Sequence, residues 1–189
     1  GEEDFLIICV GTICENKGQI DLVKALAAAP EEMLSRIRLA FIGREDRSYR
    51  KALDKALPER LASRIAFVGV VDDAAELIAA ADLLVNTSRS EAFARTMLEA
   101  AAARTPMIVT PVGGAPERLA DRRSCIFYNP GDTNGLLAAI SMLANDPRFA
   151  STLADAARAG LIDGWTRDEM IDAYEDALMQ ATGARGRIE

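Results

Sequence analysis

The sequence predicts an α/β chain folded as a Rossmann-like, doubly wound parallel sheet of about six strands, and three features predict it. Apolar runs of strand length recur along the chain. A stretch of helical periodicity follows nearly every run, which is the rhythm of βαβ units with a parallel sheet. Glycine closes the first three runs, at Gly11, Gly43 and Gly69, where the chain must leave a strand by a tight turn.

The elements follow in order. Phe5 to Val10 reads as a buried strand, and Lys17 to Ala29 as a helix halted by Pro30. Ile37 to Ile42 is a second strand, followed by a helix from about Ser48 to Ala62 that Pro58 interrupts. Ile65 to Val68 is the third strand, and Asp73 to Ala80 a short helix for which Asp72 or Asp73 supplies the cap. Ala81 to Thr87 is the fourth strand, with a strong helix pattern from Phe93 to Arg104 after it. Pro106 to Thr110 is the fifth strand, and the run Pro111 to Glu117 opens another helix. Cys125 to Tyr128 is a short sixth strand, Asp132 to Ala144 its helix, and Asn145-Asp146-Pro147 the stop. Arg148 to Gly160 and Thr166 to Thr182 are helical, and the tail Gly183 to Arg187 reads as frayed. No repeat, low-complexity tract or interior linker divides the 189 residues, so 1–189 reads as one domain.

Composition removes several functions. Half of the residues are hydrophobic, enough for one sizeable core. Lys and Arg number 22 against 29 Asp and Glu, a net charge of −7, and no basic run interrupts the acids. Nucleic acid is therefore not an expected partner. No apolar stretch reaches the length of a membrane span. Three cysteines form no C-x-x-C, and with no histidine they make no zinc set. Cys9 reads as core, and Cys14 and Cys125 as inert or mildly reactive thiols. An odd thiol count with no signal-peptide pattern points to a cytoplasmic location. The missing histidine also removes Ser-His and Cys-His nucleophile schemes, leaving carboxylates, lysine or the substrate itself for any chemistry.

The most informative segment is Ser88-Arg89-Ser90-Glu91-Ala92-Phe93-Ala94-Arg95-Thr96-Met97-Leu98-Glu99. A strand, a loop and a helix in that order put a helix N-terminus at the C-terminal edge of the sheet, where free N–H groups and the helix dipole favour phosphate. Glu91 falls in the loop, and Glu99 about 12 Å further on at roughly 1.5 Å per residue. Two acids that far apart suit a long ligand with an anionic middle and hydroxylated ends, the layout of a nucleotide diphosphate-sugar. The loop Gly11-Thr12-Ile13-Cys14-Glu15-Asn16-Lys17-Gly18 lacks both G-x-G-x-x-G and the Walker spacing, which disfavours nicotinamide binding and P-loop hydrolysis. Gly11 permits the turn, and Lys17 stands at the mouth of the sheet against the dipole of its expected helix, a placement that an anionic ligand explains.

Taken in order, the motifs resemble the C-terminal, donor-binding half of retaining GT-B glycosyltransferases of the "glycosyl transferases group 1" family. The likeness is carried by Val10-Gly11 with Lys17-Gly18, by Phe67 to Val71, and by Asn86-Thr87-Ser88 with Glu91-Ala92-Phe93 and Leu98-Glu99-Ala100. It continues through Pro106 to Thr110 with Gly113-Gly114 and Glu117, and ends at Asn129-Pro130-Gly131-Asp132. The resemblance implies a hexosyltransferase domain in glycan or glycolipid synthesis, with a nucleotide diphosphate-sugar as co-substrate and neither cofactor nor metal. It implies that Lys17 neutralises charge on the leaving diphosphate and that Glu91 holds hydroxyls of the transferred sugar. Backbone N–H groups at Phe93, Ala94 and Arg95 would hold the diphosphate, Glu99 the ribose, and Val70 with Val71 the base. Gly11 and Thr12 belong to the same donor-binding set.

Two positions depart from the family pattern. Thr12 stands where an arginine is common, and Ala94 where a glycine is; Arg95 is a candidate to compensate for the missing charge. The resemblance also implies a partner, an N-terminal acceptor-binding domain for which 189 residues leave no room. The isolated domain is then expected to bind donor weakly and to transfer sugar poorly or not at all. Any peripheral membrane association would come through that other half. Two competing readings stay open: a sugar-nucleotide epimerase-like domain, and a non-catalytic nucleotide-sugar-binding or interaction module.

Overall fold

A computed structural model describes residues 4–164 and 166–182. Six strands, β1 (Phe5–Val10), β2 (Ile37–Ile42), β3 (Ile65–Gly69), β4 (Leu83–Asn86), β5 (Met107–Val109) and β6 (Ile126–Phe127), form one sheet. The helices are α1 (Ile20–Ala27), α2 (Glu31–Arg36), α3 (Arg47–Ala56), α4 (Glu59–Ala62), α5 (Ala74–Ala79), α6 (Arg95–Ala103), α7 (Ala115–Arg118), α8 (Thr133–Asn145), α9 (Pro147–Arg158) and α10 (Arg167–Thr182). A π-helical turn, Ala159–Asp163, continues α9.

Every strand pairing is parallel, and the order across the sheet is β3-β2-β1-β4-β5-β6. The chain winds outward from β1 to β3, then crosses to β4 on the other side of β1 and winds away. The winding therefore reverses between β1 and β4, and in open α/β sheets the ligand crevice lies beyond the strand ends at that reversal.

Alternation along the strands builds two cores. Ile7 and Cys9 of β1 and Leu83 and Val85 of β4 face a layer that holds Leu22 and Leu26 of α1 with Leu136 and Ile140 of α8. The neighbouring Ile8 and Leu84 face the opposite layer, with Ile78 of α5 and Met97, Ala100 and Ala101 of α6. Both faces of the central strands are thus covered, which is why they read as unbroken apolar runs. The β3 strand lies at the edge, and its Val68 is half exposed.

Four helices carry an aspartate cap that accepts backbone N–H groups: Asp46 before α3, Asp73 before α5, Asp132 before α8 and Asp146 before α9. The sequence placed the strands closely and the helix starts less well. Helix α2 was not anticipated; six residues starting after Pro30 carry too little periodicity to be read. The expected helix from Lys17 breaks into a 3-10 turn at Glu15–Lys17, a left-handed Gly18 and α1 from Ile20, so Lys17 stands ahead of the helix. Helix α6 starts two residues later than expected, at Arg95, and β4 is confined to Leu83–Asn86. The tail Gly183 to Arg187, read as frayed, lies outside the described residues. Among the described residues no helix is long and apolar enough to cross a membrane.

The three thiols are free, and burial separates them. Cys9 and Cys125 are buried, and desolvation of the thiolate pushes both up to about 12, whereas Cys14 is only half-buried. Titration of the folded chain with a thiol reagent at about pH 8 should therefore show one promptly reacting group, lost on Cys14→Ser, with the other two released only on unfolding.

Candidate functional site at the β1–β4 crevice

The loops after β1, β4 and β5 are locked together by their backbones. Gly18, at φ 64°, lies so close to Thr87 that a Cβ would strike the Thr87 carbonyl oxygen, and Thr87 Oγ1 donates to the Lys17 carbonyl. Arg89 N–H donates to the Asn16 carbonyl at 2.7 Å, and Asn16 Nδ2 to the Ser90 carbonyl at 2.9 Å. Gly113, at φ 57°, packs its Cα against the carbonyls of Glu91 and Ala92, and Gly114 N–H donates to the Ala92 carbonyl at 2.7 Å. The polar residues at the ends of β4 and β5 serve the same frame: Thr110 Oγ1 donates to the Ser88 carbonyl at 2.6 Å, and Ser88 N–H to Asn86 Oδ1 at 3.0 Å.

Above this frame lies a cleft of about 440 Å³. Gly11 and Lys17 line it from the first loop, Val71 to Asp73 from the loop after β3 with Ala74 of α5, Glu91, Phe93 and Ala94 from the loop after β4, and Arg95, Thr96 and Glu99 from α6. A larger hollow of about 590 Å³ and one of similar size, about 430 Å³, open around Phe5 at the start of β1, the opposite edge of the sheet. They carry none of the residues singled out from the sequence, and the crevice is the candidate site on chemistry rather than size.

The charges within the cleft are specific. Lys17 Nζ is ion-paired with Glu91 Oε2, both side chains being about one-fifth to one-quarter exposed. The α6 N-terminus carries no side-chain cap and no acid in its first turn. Its first helical hydrogen bond runs from Met97 N–H to the Ala94 carbonyl, which leaves the N–H groups of Arg95 and Thr96 free for an anion. Glu99 lies one turn further along the same wall. The arrangement offers a cation and backbone donors in the middle and a carboxylate to either side.

The structure thus brings together Gly11, Lys17, Val71, Glu91, Phe93, Ala94, Arg95 and Glu99 of the residues predicted from sequence. It leaves two outside the lining. Thr12 is exposed, and its carbonyl is taken by Gln19 Nε2 at 3.0 Å; Val70 is 71 % exposed beyond the cleft edge. Sequence reasoning missed the residues that hold the loops. Gln19 is 1 % exposed and binds both sides of the first loop, the Thr12 carbonyl and the Cys14 N–H. Asp21 is 3 % exposed and accepts from Gly131 N–H at 2.8 Å and from Arg89 at 3.4 Å, tying α1 to the loops after β6 and β4. Their only signal was polarity just before and within an apolar helix face. The acidic pair at the cleft rim, Asp72 and Asp73, was read only as capping, and Asp73 does cap α5.

A Rossmann-like sheet with a polar cleft at its winding reversal defines a doubly wound α/β domain with its crevice where such folds hold their ligands. Comparison with known proteins narrows the class. The sequence profile of the family described as Glycosyl transferases group 1 matches residues 4–146, and the chain belongs to that family. It is 27 % identical to the N-acetyl-alpha-D-glucosaminyl L-malate synthase of Bacillus anthracis over 174 residues, covering 92 % of this chain and 45 % of that protein. Among solved structures it is similar to Anabaena Alr3699/HepE in complex with UDP and glucose, with a TM-score of 0.83 and 25 % identity over 93 % of this chain and 48 % of that one. The C-terminal domain of the group 1 family protein LpcC from Francisella tularensis shares the fold, with a TM-score of 0.72, 22 % identity and coverage of 90 % of this chain and 86 % of that chain. The chain spans about half the length of the Bacillus anthracis synthase and of other curated relatives that it matches.

Gly113 holds the Glu91 loop at a distance no side chain tolerates. Gly113→Ala should cost about 3 kcal/mol through the left-handed backbone and the clash with the Glu91 carbonyl, lowering the thermal midpoint by roughly 5–10 °C. Calorimetric unfolding checks this, and a midpoint within ~1 °C of the unaltered chain would show that the loop moves freely.

Proposed function

We propose that the chain is one Rossmann-like domain, 1–189, and the donor-binding half of a retaining, GT-B-type glycosyltransferase acting in the cytoplasm. The observation that carries this reading is the single cleft at the β1–β4 reversal that unites Lys17, Glu91, the open end of α6 and Glu99. The UDP and glucose held by the Anabaena relative support a nucleotide diphosphate-sugar as the ligand. Its diphosphate would rest on the N–H groups of Arg95 and Thr96, its ribose hydroxyls would meet Glu99, and its base would lie against Val71. Val70 would shield the base from outside the cleft, and Thr12 would offer a neutral hydroxyl at most.

Donor entry changes the partner of Lys17. The ammonium leaves Glu91 for the diphosphate, and the freed carboxylate accepts hydrogen bonds from the sugar hydroxyls. Each group thereby replaces one charged partner with one supplied by the ligand. During transfer the bond from the anomeric carbon to the diphosphate oxygen breaks, and the acceptor oxygen bonds to that carbon on the same face. The acceptor proton passes to the departing phosphate, while Lys17 and the α6 dipole stabilise the charge that develops on it. The reading invokes neither metal nor cofactor. The acceptor, and any membrane contact, would belong to a second Rossmann-like half, as the coverage of the relatives supports. Without that half the domain binds donor but has nothing to hold an acceptor for attack.

The exposed Thr12, which brings no charge to the cleft, favours a second reading in which the site binds nucleotide-sugar without transferring it. Turnover by a protein carrying both halves excludes that reading, and donor binding without turnover establishes it.

Calorimetry with UDP, GDP, ADP and their sugars tests the site. Lys17→Ala and Glu99→Ala should each weaken the best-bound nucleotide by about tenfold or more. Glu91→Gln should separate the two halves of the ligand: the free nucleotide binds as well or better because Lys17 is released, while the extra affinity contributed by the sugar is lost. Full binding by both alanine variants would remove the assignment.

A further inference from the structure

We propose that the Arg95 side chain is a second cationic arm on the donor diphosphate and sets how tightly the cleft holds it, a role that rests on the reading of the cleft given above. Two cations line the cleft, Lys17 and Arg95. Lys17 is paired with Glu91, whereas Arg95 makes no ion pair or side-chain hydrogen bond with any described residue. Among the described residues nothing neutralises Arg95, so it is the open charge of the cleft that an entering diphosphate meets.

Its position is unfavourable for the fold taken alone. Arg95 is the first residue of α6, where the helix dipole is positive and a cation is repelled. The helices α3, α5, α8 and α9 meet the same end with an aspartate, but α6 has neither cap nor first-turn acid. Glu99, four residues on, is the ordinary partner for neutralising such an arginine across one helical turn, and the two do not pair. The remaining loop position beside Lys17, Thr12, carries no charge and does not line the cleft.

A diphosphate removes each of these costs together. It faces the free N–H groups of Arg95 and Thr96, satisfies the dipole, and accepts the guanidinium through two oxygens in the paired geometry that arginine favours. Backbone and side chain of one residue would then grip the same anion, with Lys17 closing on it after leaving Glu91. The contact is to the charge shared by all nucleotide diphosphates, so it raises affinity without choosing the base.

Titration calorimetry of the whole chain tests this with UDP, GDP and ADP, followed by the monophosphate and nucleoside of whichever binds best. Arg95→Ala should weaken the diphosphate by about tenfold, leave the nucleoside unchanged and flatten the salt dependence; Arg95→Lys should fall between the two. The thermal midpoint of free Arg95→Ala should be unchanged or higher, since the variant removes a cation from a positive helix end. Diphosphate binding by Arg95→Ala within about twofold of the unaltered chain would overturn the proposal, leaving Arg95 an ordinary solvated side chain. Equal loss of diphosphate and nucleoside would overturn it too, as general damage to the cleft. If the unaltered chain binds none of the three nucleotides, the donor reading itself falls and the arginine's role with it.

Discussion

Backbone contact among the loops after β1, β4 and β5 sets where the facing charges of the cleft, Lys17 and Glu91, can stand. Gly18 presses on Thr87, Gly113 on Glu91 and Ala92, and Asn16 exchanges hydrogen bonds with Arg89 and Ser90. None of these contacts involves a side chain that would touch a ligand. They fix the carbonyl backbone of the Glu91 loop between two neighbours, so the carboxylate is aimed by the main chain rather than by its own rotamer alone. Lys17 is aimed in the same way, held between the left-handed Gly18 and the hydroxyl of Thr87. The ion pair between them follows from this frame.

The layered sheet comes first in the physical order of causes. Alternating residues of β1 and β4 bury themselves on opposite faces, which fixes the register of the two strands and hence the height of their loops. Alanines at 100 and 101 let α6 lie close to the sheet. That closeness brings the open end of the helix level with the loop after β1. Buried Gln19 and Asp21 then turn polar groups inward to bind loop backbones, so three loops of different origin act as one surface.

Much of this was legible in the sequence, and the exceptions share a cause. All six strands were readable as apolar runs, unbroken in the central ones because these are buried on both faces, and the acids at 91 and 99 with their intervening helix were readable as a spacing. Partnerships across the fold were not. Lys17 and Glu91 are 74 positions apart, and no local pattern reports that they meet. The first loop was misjudged for a subtler reason: helical periodicity reaches back to Lys17, but Gly18 takes a left-handed conformation that ends the 3-10 turn before α1 starts. Likewise the sequence shows an arginine at 95, while its lack of a partner among the described residues is a property of three-dimensional arrangement. Thr12 and Val70 show the converse, since residues adjacent in sequence to lining positions point elsewhere.

The crossover that places β4 beside β1 also governs how the molecule comes into being. During synthesis the first three strands emerge and can pair while one flank of β1 has no neighbour, leaving Ile7 and Ile8 with bare backbone on the side where β4 will dock. Only when the chain has run past residue 86 does that flank close. The ligand crevice and the protection of the central strand are consequently completed by one late, long-range event. Any nascent or truncated form that stops short of it has an adhesive edge and an incomplete crevice.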